Sequence, residues 1–196
     1  MSAEEIRRLC SIFYLLRFEE LHALDFAGLP WLMPLKGHTL LQAVETIYAS
    51  VVTTEGKQER LCCMAKLYAW LVPRGVFAPW VLYRLNTSEV VSDVSAIGER
   101  LEEAVKFSGR CAEIGVVDTG SCYSVTILMA SEAHGPPEFL PVCFCVWPGL
   151  PFVAYHAAEG ASYSYLLKSV FGNADKAPCG TYADLDSALI VAIASQ

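Results

Sequence analysis

The chain has 196 residues, of which 54% are hydrophobic and 18% are charged, and its formal net charge at pH 7 is −7. This apolar composition excludes intrinsic disorder, collagen and coiled coil. The negative charge argues against an undiscriminating nucleic-acid binder, because such proteins carry a basic surface.

The first part of the chain predicts a helical bundle. Apolar residues recur at helical spacing in three stretches, and a loop from Gly28 to Pro34 separates the first stretch from the second. A short apolar segment from Val76 to Leu85 is expected to close the bundle. The apolar positions of the helices are Ile6, Leu9, Cys10, Phe13, Leu16, Leu21 and Leu24, then Leu40, Leu41, Val44, Ile47 and Tyr48, and then Leu61, Met64, Ala65, Tyr68 and Leu71, before a stop at Pro73-Arg74-Gly75.

The polar stretch from Asn86 to Ser95 predicts the domain boundary. One helix follows from Ala96 to Phe107, with Ile97, Leu101 and Val105 on one stripe and Gly109 just past its end. We therefore predict an α+β protein with a helical domain at 1–88 and an α+β domain with a central antiparallel sheet at 89–196. Residues 1–88 carry nine Lys/Arg and eight Asp/Glu, a net +1, whereas residues 89–196 carry five and thirteen, a net −8.

Two strand patterns and two helix patterns make up the rest of the second domain. Tyr123 to Met129 alternates apolar and polar residues, which predicts a strand with one buried face. Phe139 to Ala158 has no acid, Lys or Arg and is long enough to cross a bilayer, but the Pro-Gly turn in its middle favours two buried strands. Helices are expected from Ser162 to Phe171, and from a capping-box-like Thr181–Asp184 to Ala194.

Asp118-Thr119-Gly120-Ser121 is similar to the active-site triplet of aspartic proteases. Those enzymes need two carboxylates that share a proton, supplied by two lobes or two chains. The same residues between two strand patterns are also an ordinary hairpin turn, which we favour. The retroviral-type protease at Asp118 stays open as a remote alternative.

Other chemistry-bearing patterns do not emerge from the sequence. The four histidines are far apart, the eight cysteines form no C-x-x-C pair, and nucleophile elbows, P-loops and dinucleotide-binding glycine motifs are absent. We expect no enzyme, no metal and no cofactor. The cysteines lie inside apolar runs, such as Cys62-Cys63 and Cys143 to Cys145, so we expect buried thiols in a reducing compartment.

The first predicted helix carries Glu4, Arg7 and Arg8. Such a charged face is often simply solvated. Arginine pairs also suit bidentate contacts with phosphate, and a glutamate accepts hydrogen bonds from a partner's arginine. Composition alone does not separate these two interpretations.

The order and spacing of several motifs resemble the centromere protein N family (CENP-N). Ala3-Glu-Glu-Ile-Arg-Arg is similar to the opening of the family's first helix. The run from Arg60 to Trp70, followed by Val72-Pro-Arg-Gly-Val-Phe and Trp80-Val-Leu-Tyr, is similar to a helix–turn–helix of fungal members. The later segments that match in order are Ser121 to Ala130, Pro141 to Tyr155, Tyr163 to Val170 and Asp184 to Leu189.

The resemblance implies a pyrin-like helical domain, followed by an α+β domain of the kind that CENP-N shares with CENP-L. It also implies a non-enzymatic inner-kinetochore protein in the nucleus that recognises nucleosomes with the centromeric histone H3 variant. By the same resemblance, Glu4 faces a histone arginine, Arg7 and Arg8 lie near DNA and histone, and Lys36 belongs to a further basic cluster. A CENP-L-like subunit is the implied partner, and chromosome segregation is the implied process.

Two departures from the family qualify this expectation. Family members have a further carboxy-terminal domain that pairs with CENP-L, and this chain ends before it. They are also basic on the side that faces the nucleosome. The alternative is therefore an assembly adaptor that keeps the fold and binds only proteins.

Overall fold

A computed structural model describes residues 1–85, 94–131, 138–157, 166, 168 and 178–195. The chain forms two compact units, Met1–Met64 and Ala65–Gln196. The described residues contain six α-helices and a six-stranded antiparallel sheet, which confirms the predicted α+β class.

The first unit is helical. The predicted apolar stripe of its first half is confirmed, because Ile6, Leu9, Phe13, Leu21 and Leu24 are all buried. Short 3-10 helices, Ser11–Leu15 and Ala23–Phe26, continue the first two α-helices. The α-helices are α1 Ala3–Cys10, α2 Phe18–His22, α3 Leu40–Thr53 and α4 Lys57–Leu71, the last of which begins in the first unit and ends in the second.

Helix α3 packs with a face slightly different from the predicted one. Val44 and Ile47 are buried as expected, and Ala43 and Val51 complete the buried stripe. Leu41, which was predicted on that stripe, is exposed. The apolar residues of α3 cover more than half of its circumference, so periodicity alone did not determine which edge of the stripe faces the core.

The second unit is built on one sheet. Its strands are β1 Trp80–Arg84, β2 Ala112–Asp118, β3 Tyr123–Ala130, β4 Phe139–Val146, β5 Phe152–Ala157 and β6 Gly180–Tyr182. Their order is β2-β3-β4-β5-β1-β6, so β2 to β5 form a meander and β1 is inserted between β5 and β6. The helices α5, Val94–Ser108, and α6, Leu185–Ala194, also belong to this unit.

The assignment of Val76–Leu85 to the helical bundle was wrong. Residues 80–84 form β1, which is hydrogen-bonded to β5 on one side and to β6 on the other. The compact units accordingly divide after Met64, whereas the sequence predicted a division at residue 88. Most of the polar stretch that suggested the later boundary, residues 86–93, lies outside the described residues.

Both faces of β3 are buried, so the expectation of a single buried face for this strand was wrong. Val125, Ile127 and Met129 pack on one face with Leu101 of α5. On the other face, Ser124 and Thr126 are fully buried as well. The alternation of polar and apolar residues in β3 therefore does not mark a solvent-exposed face.

The apolar segment from Phe139 to Ala158 forms two antiparallel strands joined by a turn, as predicted. Among the described residues, no helix is long and apolar enough to cross a membrane. The helix predicted at Ser162–Phe171 lies outside the described residues, apart from the helical positions 166 and 168.

The last helix ends at Ala194 as predicted, but its start differs. Asp184 is the N-cap, and its side chain accepts a hydrogen bond from the Ser187 N–H at 2.7 Å. Thr181, which was predicted to begin the capping box, instead pairs with Val81 in β6. A carboxylate at the cap satisfies the free N–H groups of the first turn and leaves Thr181 available for the sheet.

His156 makes the stability of the second unit depend on pH. The ring is nearly buried, and its Nδ1 donates a hydrogen bond to the Pro79 carbonyl at 2.9 Å. Burial lowers the pKa of His156 below 6.5, although the Pro79 carbonyl opposes this shift. The unfolded chain then binds more protons than the folded one below that pH, so we expect the free energy of unfolding to fall as pH drops below about 6.5.

Urea unfolding of the protein and of its His156→Gln variant at about pH 7.5 and about pH 5.5 checks this prediction. We expect the variant to lose less stability than the parent over this interval, because glutamine does not titrate. An identical loss in both proteins would assign the pH dependence to other groups.

Candidate functional site

The charged face of α1 is the site that the sequence singled out. Ser2 begins the helix: its hydroxyl accepts a hydrogen bond from the Glu5 N–H, and the Glu5 carboxylate accepts one from the Ser2 N–H. Ile6 and Leu9 lie on the opposite face of the helix and are buried. Residues three and four apart are neighbours on a helix surface, so the structure brings the exposed Glu4, Arg7 and Arg8 together, as predicted.

Arg7 is held in place by α3, which the sequence did not predict. Its Nη1 lies 2.9 Å from Glu45 Oε1, and its guanidinium carbon lies 4.1 Å from the centre of the Tyr48 ring. Hydrogen bonds to the Tyr48 and Glu45 side chains raise the pKa of Arg7 above its usual value. Glu45 and Tyr48 therefore orient the guanidinium toward α3.

The Arg7–Glu45 pair remains accessible to a partner. The Arg7 side chain is 58% exposed and that of Glu45 is 46% exposed. Exposed ion pairs contribute little to stability, because water solvates both charges and salt screens them. A partner's carboxylate or phosphate is therefore able to replace Glu45 at little cost, or to share the guanidinium with it.

Lys36 lies on a separate element, the loop that precedes α3. This loop is anchored by two backbone N–H groups: Leu35 donates to the Asp25 carboxylate at 2.7 Å, and Met33 donates to the Ser50 hydroxyl at 3.2 Å. The Leu35 side chain is fully buried, whereas Lys36 is exposed. Lys36 is thus an exposed cation on an anchored loop and does not belong to α1.

The net charge of the helical unit is negative once its observed bounds are used. Residues 1–64 carry six Lys/Arg and eight Asp/Glu, a net −2, in place of the +1 obtained for residues 1–88. The arginines of α1 are therefore a local positive feature on a weakly acidic unit. Such a surface favours a few defined contacts over broad attraction to nucleic acid.

Asp118 is the last residue of β2, and a hairpin turn at 119–122 connects it to β3, as the turn interpretation predicted. Its carboxylate accepts a hydrogen bond from the Gly120 N–H at 2.7 Å, and the Thr119 N–H donates to the Cys122 carbonyl at 3.1 Å. Gly120 has the left-handed φ of 78° that this turn requires. The turn accounts for all of the residues that suggested a protease.

All eight cysteines are free thiols, and the expectation that they are buried is correct for only five of them. Cys62 is half-buried, and Cys111 and Cys179 are exposed. These two exposed thiols lie at the ends of strands, outside the apolar runs on which the expectation rested. Among the described residues, no group of three or more His, Cys, Asp or Glu is arranged to hold a metal ion.

Cys122 is the thiol with the most polar surroundings. Its sulfur lies 3.4 Å from Thr119 Oγ1 and 3.7 Å from Ser124 Oγ. A hydrogen bond from the Cys145 thiol, together with these hydroxyl groups, lowers the pKa of Cys122 to about 6. The same pairing raises the pKa of Cys145 well above its usual value. The cluster thus links Thr119 and Cys122 of the turn to Ser124 of β3 and Cys145 of β4.

Comparison with known proteins leaves the family open. No family model matches the sequence, and no curated protein matches it. The features that point to a function are therefore the motif order and the geometry of the α1 face.

Proposed function

We propose that this protein is a non-enzymatic inner-kinetochore protein of the CENP-N type, which recognises nucleosomes that contain the centromeric H3 variant. Its first unit is then the pyrin-like domain, its second unit is the CENP-L/N-type domain, and its location is the nucleus. The observation that carries the proposal is that Glu4, Arg7 and Arg8 lie together on the exposed face of α1. The helical unit followed by an antiparallel sheet unit also supports it.

Each residue of the α1 face has a distinct role in this proposal. Glu4 accepts hydrogen bonds from a histone arginine, which forms paired contacts with a carboxylate. Arg7, oriented by Glu45 and Tyr48, meets an acidic histone side chain or a phosphate. Arg8 extends the same basic edge, and Lys36 adds a separate phosphate contact.

Binding to reconstituted nucleosomes with the centromeric H3 variant or with ordinary H3 tests the proposal. We expect tighter binding to the variant nucleosome. The double substitution Arg7→Ala with Arg8→Ala should weaken that binding by about tenfold or more, because each truncation leaves a partner charge unpaired in the interface. If both arginines contact phosphates, the slope of log affinity against log salt should also become shallower by about 1.8.

Two further variants act as controls. Arg17 is exposed and pairs with Glu20 at 3.0 Å, so Arg17→Ala removes a paired surface arginine outside the α1 face and should leave binding unchanged. Glu45→Gln removes the acid beside Arg7 without removing the arginine, and should strengthen binding modestly. Equal losses from Arg7→Ala with Arg8→Ala and from Arg17→Ala would contradict the proposed site.

A protein-only assembly adaptor is the second candidate, and three observations favour it. Arg7 already has an acidic partner, and the helical unit has a net charge of −2. That unit also exposes large apolar side chains, with Leu15 at 70% and Phe26 at 91% exposure. Absence of binding to either nucleosome by a folded sample would exclude the nucleosome reader and favour this adaptor.

A further inference from the structure

Two cysteine thiols beside the β2–β3 turn form a second site, which belongs to the second unit and does not depend on the proposed function. Cys122 ends the turn, and Cys145 lies in β4. Ser124 stands directly opposite Cys145 in the register of the two strands. Because alternate residues of a strand share a face, Cys122 lies on the face of Ser124, diagonally across from Cys145. A hydrogen bond joins the two thiols, so their sulfurs are in contact.

The polar groups around Cys122 favour its charged form. Thr119 Oγ1 lies 3.4 Å and Ser124 Oγ lies 3.7 Å from the Cys122 sulfur. Hydrogen bonds from the Cys145 thiol and from neighbouring hydroxyl groups lower the pKa of Cys122 to about 6. Cys145 keeps its proton, because the same contact raises its pKa. The pair thus combines a thiolate, which is the reactive form of cysteine, with a protonated thiol at its side.

The turn brings the Cys122 sulfur close to solvent, although the residue itself is only 5% exposed. Thr119, Gly120 and Ser121 are all exposed. The Ser121 hydroxyl also donates a hydrogen bond to the Cys122 sulfur. One hydrogen bond therefore separates the sulfur from the surface. A molecule as small as hydrogen peroxide is able to take the place of that hydroxyl.

The other cysteines of the second unit are not placed to compete for Cys145. Cys143 and Cys145 are two residues apart on one strand, roughly 6.7 Å between their Cα atoms, and their parallel side chains do not converge as a disulfide requires. Cys111 precedes β2 and Cys179 precedes β6, which are the opposite edges of the six-stranded sheet. Five strand spacings, roughly 20 Å or more, therefore separate these two exposed thiols.

We propose that Cys122 and Cys145 are a reversible oxidation site, which hydrogen peroxide converts into a disulfide that fastens the turn to β4. The Cys122 thiolate attacks one peroxide oxygen, the O–O bond breaks, and the departing hydroxide takes up a proton to leave as water. Cys122 is then a sulfenic acid. The Cys145 sulfur attacks the Cys122 sulfur, the S–O bond breaks, and the hydroxide leaves with the Cys145 proton as a second water. Two thiols have then given two electrons to one peroxide, and a dithiol reverses the change by thiol–disulfide exchange.

Peptide mapping after treatment with hydrogen peroxide tests the proposal. The full chain with Cys111→Ser and Cys179→Ser is used, because removal of the two exposed thiols prevents links between molecules. Chymotrypsin cuts after Tyr123 and Phe144, so it places Cys122, Cys143 and Cys145 on separate peptides. We expect a peptide pair that joins Cys122 to Cys145 and that dithiothreitol separates. Free thiols at both positions after treatment, or a link from either one to a different cysteine, would overturn the proposal.

Two serine substitutions in the same background separate the roles of the two sulfurs. In Cys145→Ser, the serine hydroxyl still donates a hydrogen bond to Cys122 but forms no disulfide. Dimedone, which reacts with sulfenic acids, should therefore label Cys122 at least tenfold more in this variant than in its parent. Cys143→Ser is the matched control, since Cys143 is also fully buried in β4, and it should form the Cys122–Cys145 link to the same extent as the parent. Equal dimedone labelling of Cys122 in Cys145→Ser and in the parent would overturn the proposal.

Discussion

Replacement of Gly115 by alanine is expected to destabilise the second unit by about 3 kcal/mol or more. Gly115 lies in β2, where a Cβ atom would stand 2.2 Å from the Ala65 carbonyl oxygen and 2.3 Å from its carbon. These are backbone atoms of α4, which are unable to rotate away as a flexible side chain does. The added methyl group therefore displaces the strand or the helix, and strained packing of this kind lies at the upper end of measured costs.

Gly98→Ala is the matched control for this substitution. Gly98 lies within α5, and no heavy atom lies within 4 Å of the position that its Cβ would occupy. Alanine should stabilise the helix there by about 0.5–1 kcal/mol, because it restricts the unfolded chain more than glycine does. Urea unfolding of both variants measures the difference. A Gly115→Ala variant as stable as the parent would show that α4 does not press against β2.

The helices were the part of the fold that the sequence predicted best. The buried positions of α1, such as Ile6 and Leu9, follow from a local period of 3.6 residues. The end of α5 was also predicted from local chemistry, because Gly109 lies just past it with a left-handed φ. The joined strands β4 and β5 were predictable as well, because a proline-glycine turn separates two apolar runs.

The position of β1 was not predictable from local pattern. Residues 80–84 are apolar enough for a helix or a strand, and what makes them a strand is pairing with Val153 and Tyr155 of β5, far along the chain. The two buried faces of β3 depend in the same way on layers contributed by other segments. Strand membership and burial are decided by partners that a single window of sequence does not contain.

In the candidate site too, local spacing was predictable from the sequence and tertiary contacts were not. The grouping of Glu4, Arg7 and Arg8 follows from helical spacing and was predicted. Glu45 and Tyr48, which orient Arg7, belong to α3 and were missed. Their spacing of three residues places both on one face of that helix. Only tertiary packing turns that face toward Arg7.

Trp80→Ala is expected to reduce the free energy of unfolding by about 3–5 kcal/mol, the range measured for large aromatic side chains in protein cores. Trp80 is fully buried in β1, between β5 and β6. Its ring centre lies 5.7 Å from that of His156. Phe107→Ala is the control, because Phe107 is 90% exposed in the same unit, and its loss should change stability by less than about 0.5 kcal/mol.

Trp80→Phe separates the packing of the ring from the cost of its polar atom. The indole Nε1 is buried, and within the described part of the chain it has no hydrogen-bond partner. A buried donor without a partner costs about 1–3 kcal/mol, so phenylalanine removes a penalty while it loses part of the apolar area. We therefore expect Trp80→Phe to be much less destabilising than Trp80→Ala in urea unfolding. Equal losses in the two variants would contradict the relief of an unpaired indole N–H by phenylalanine.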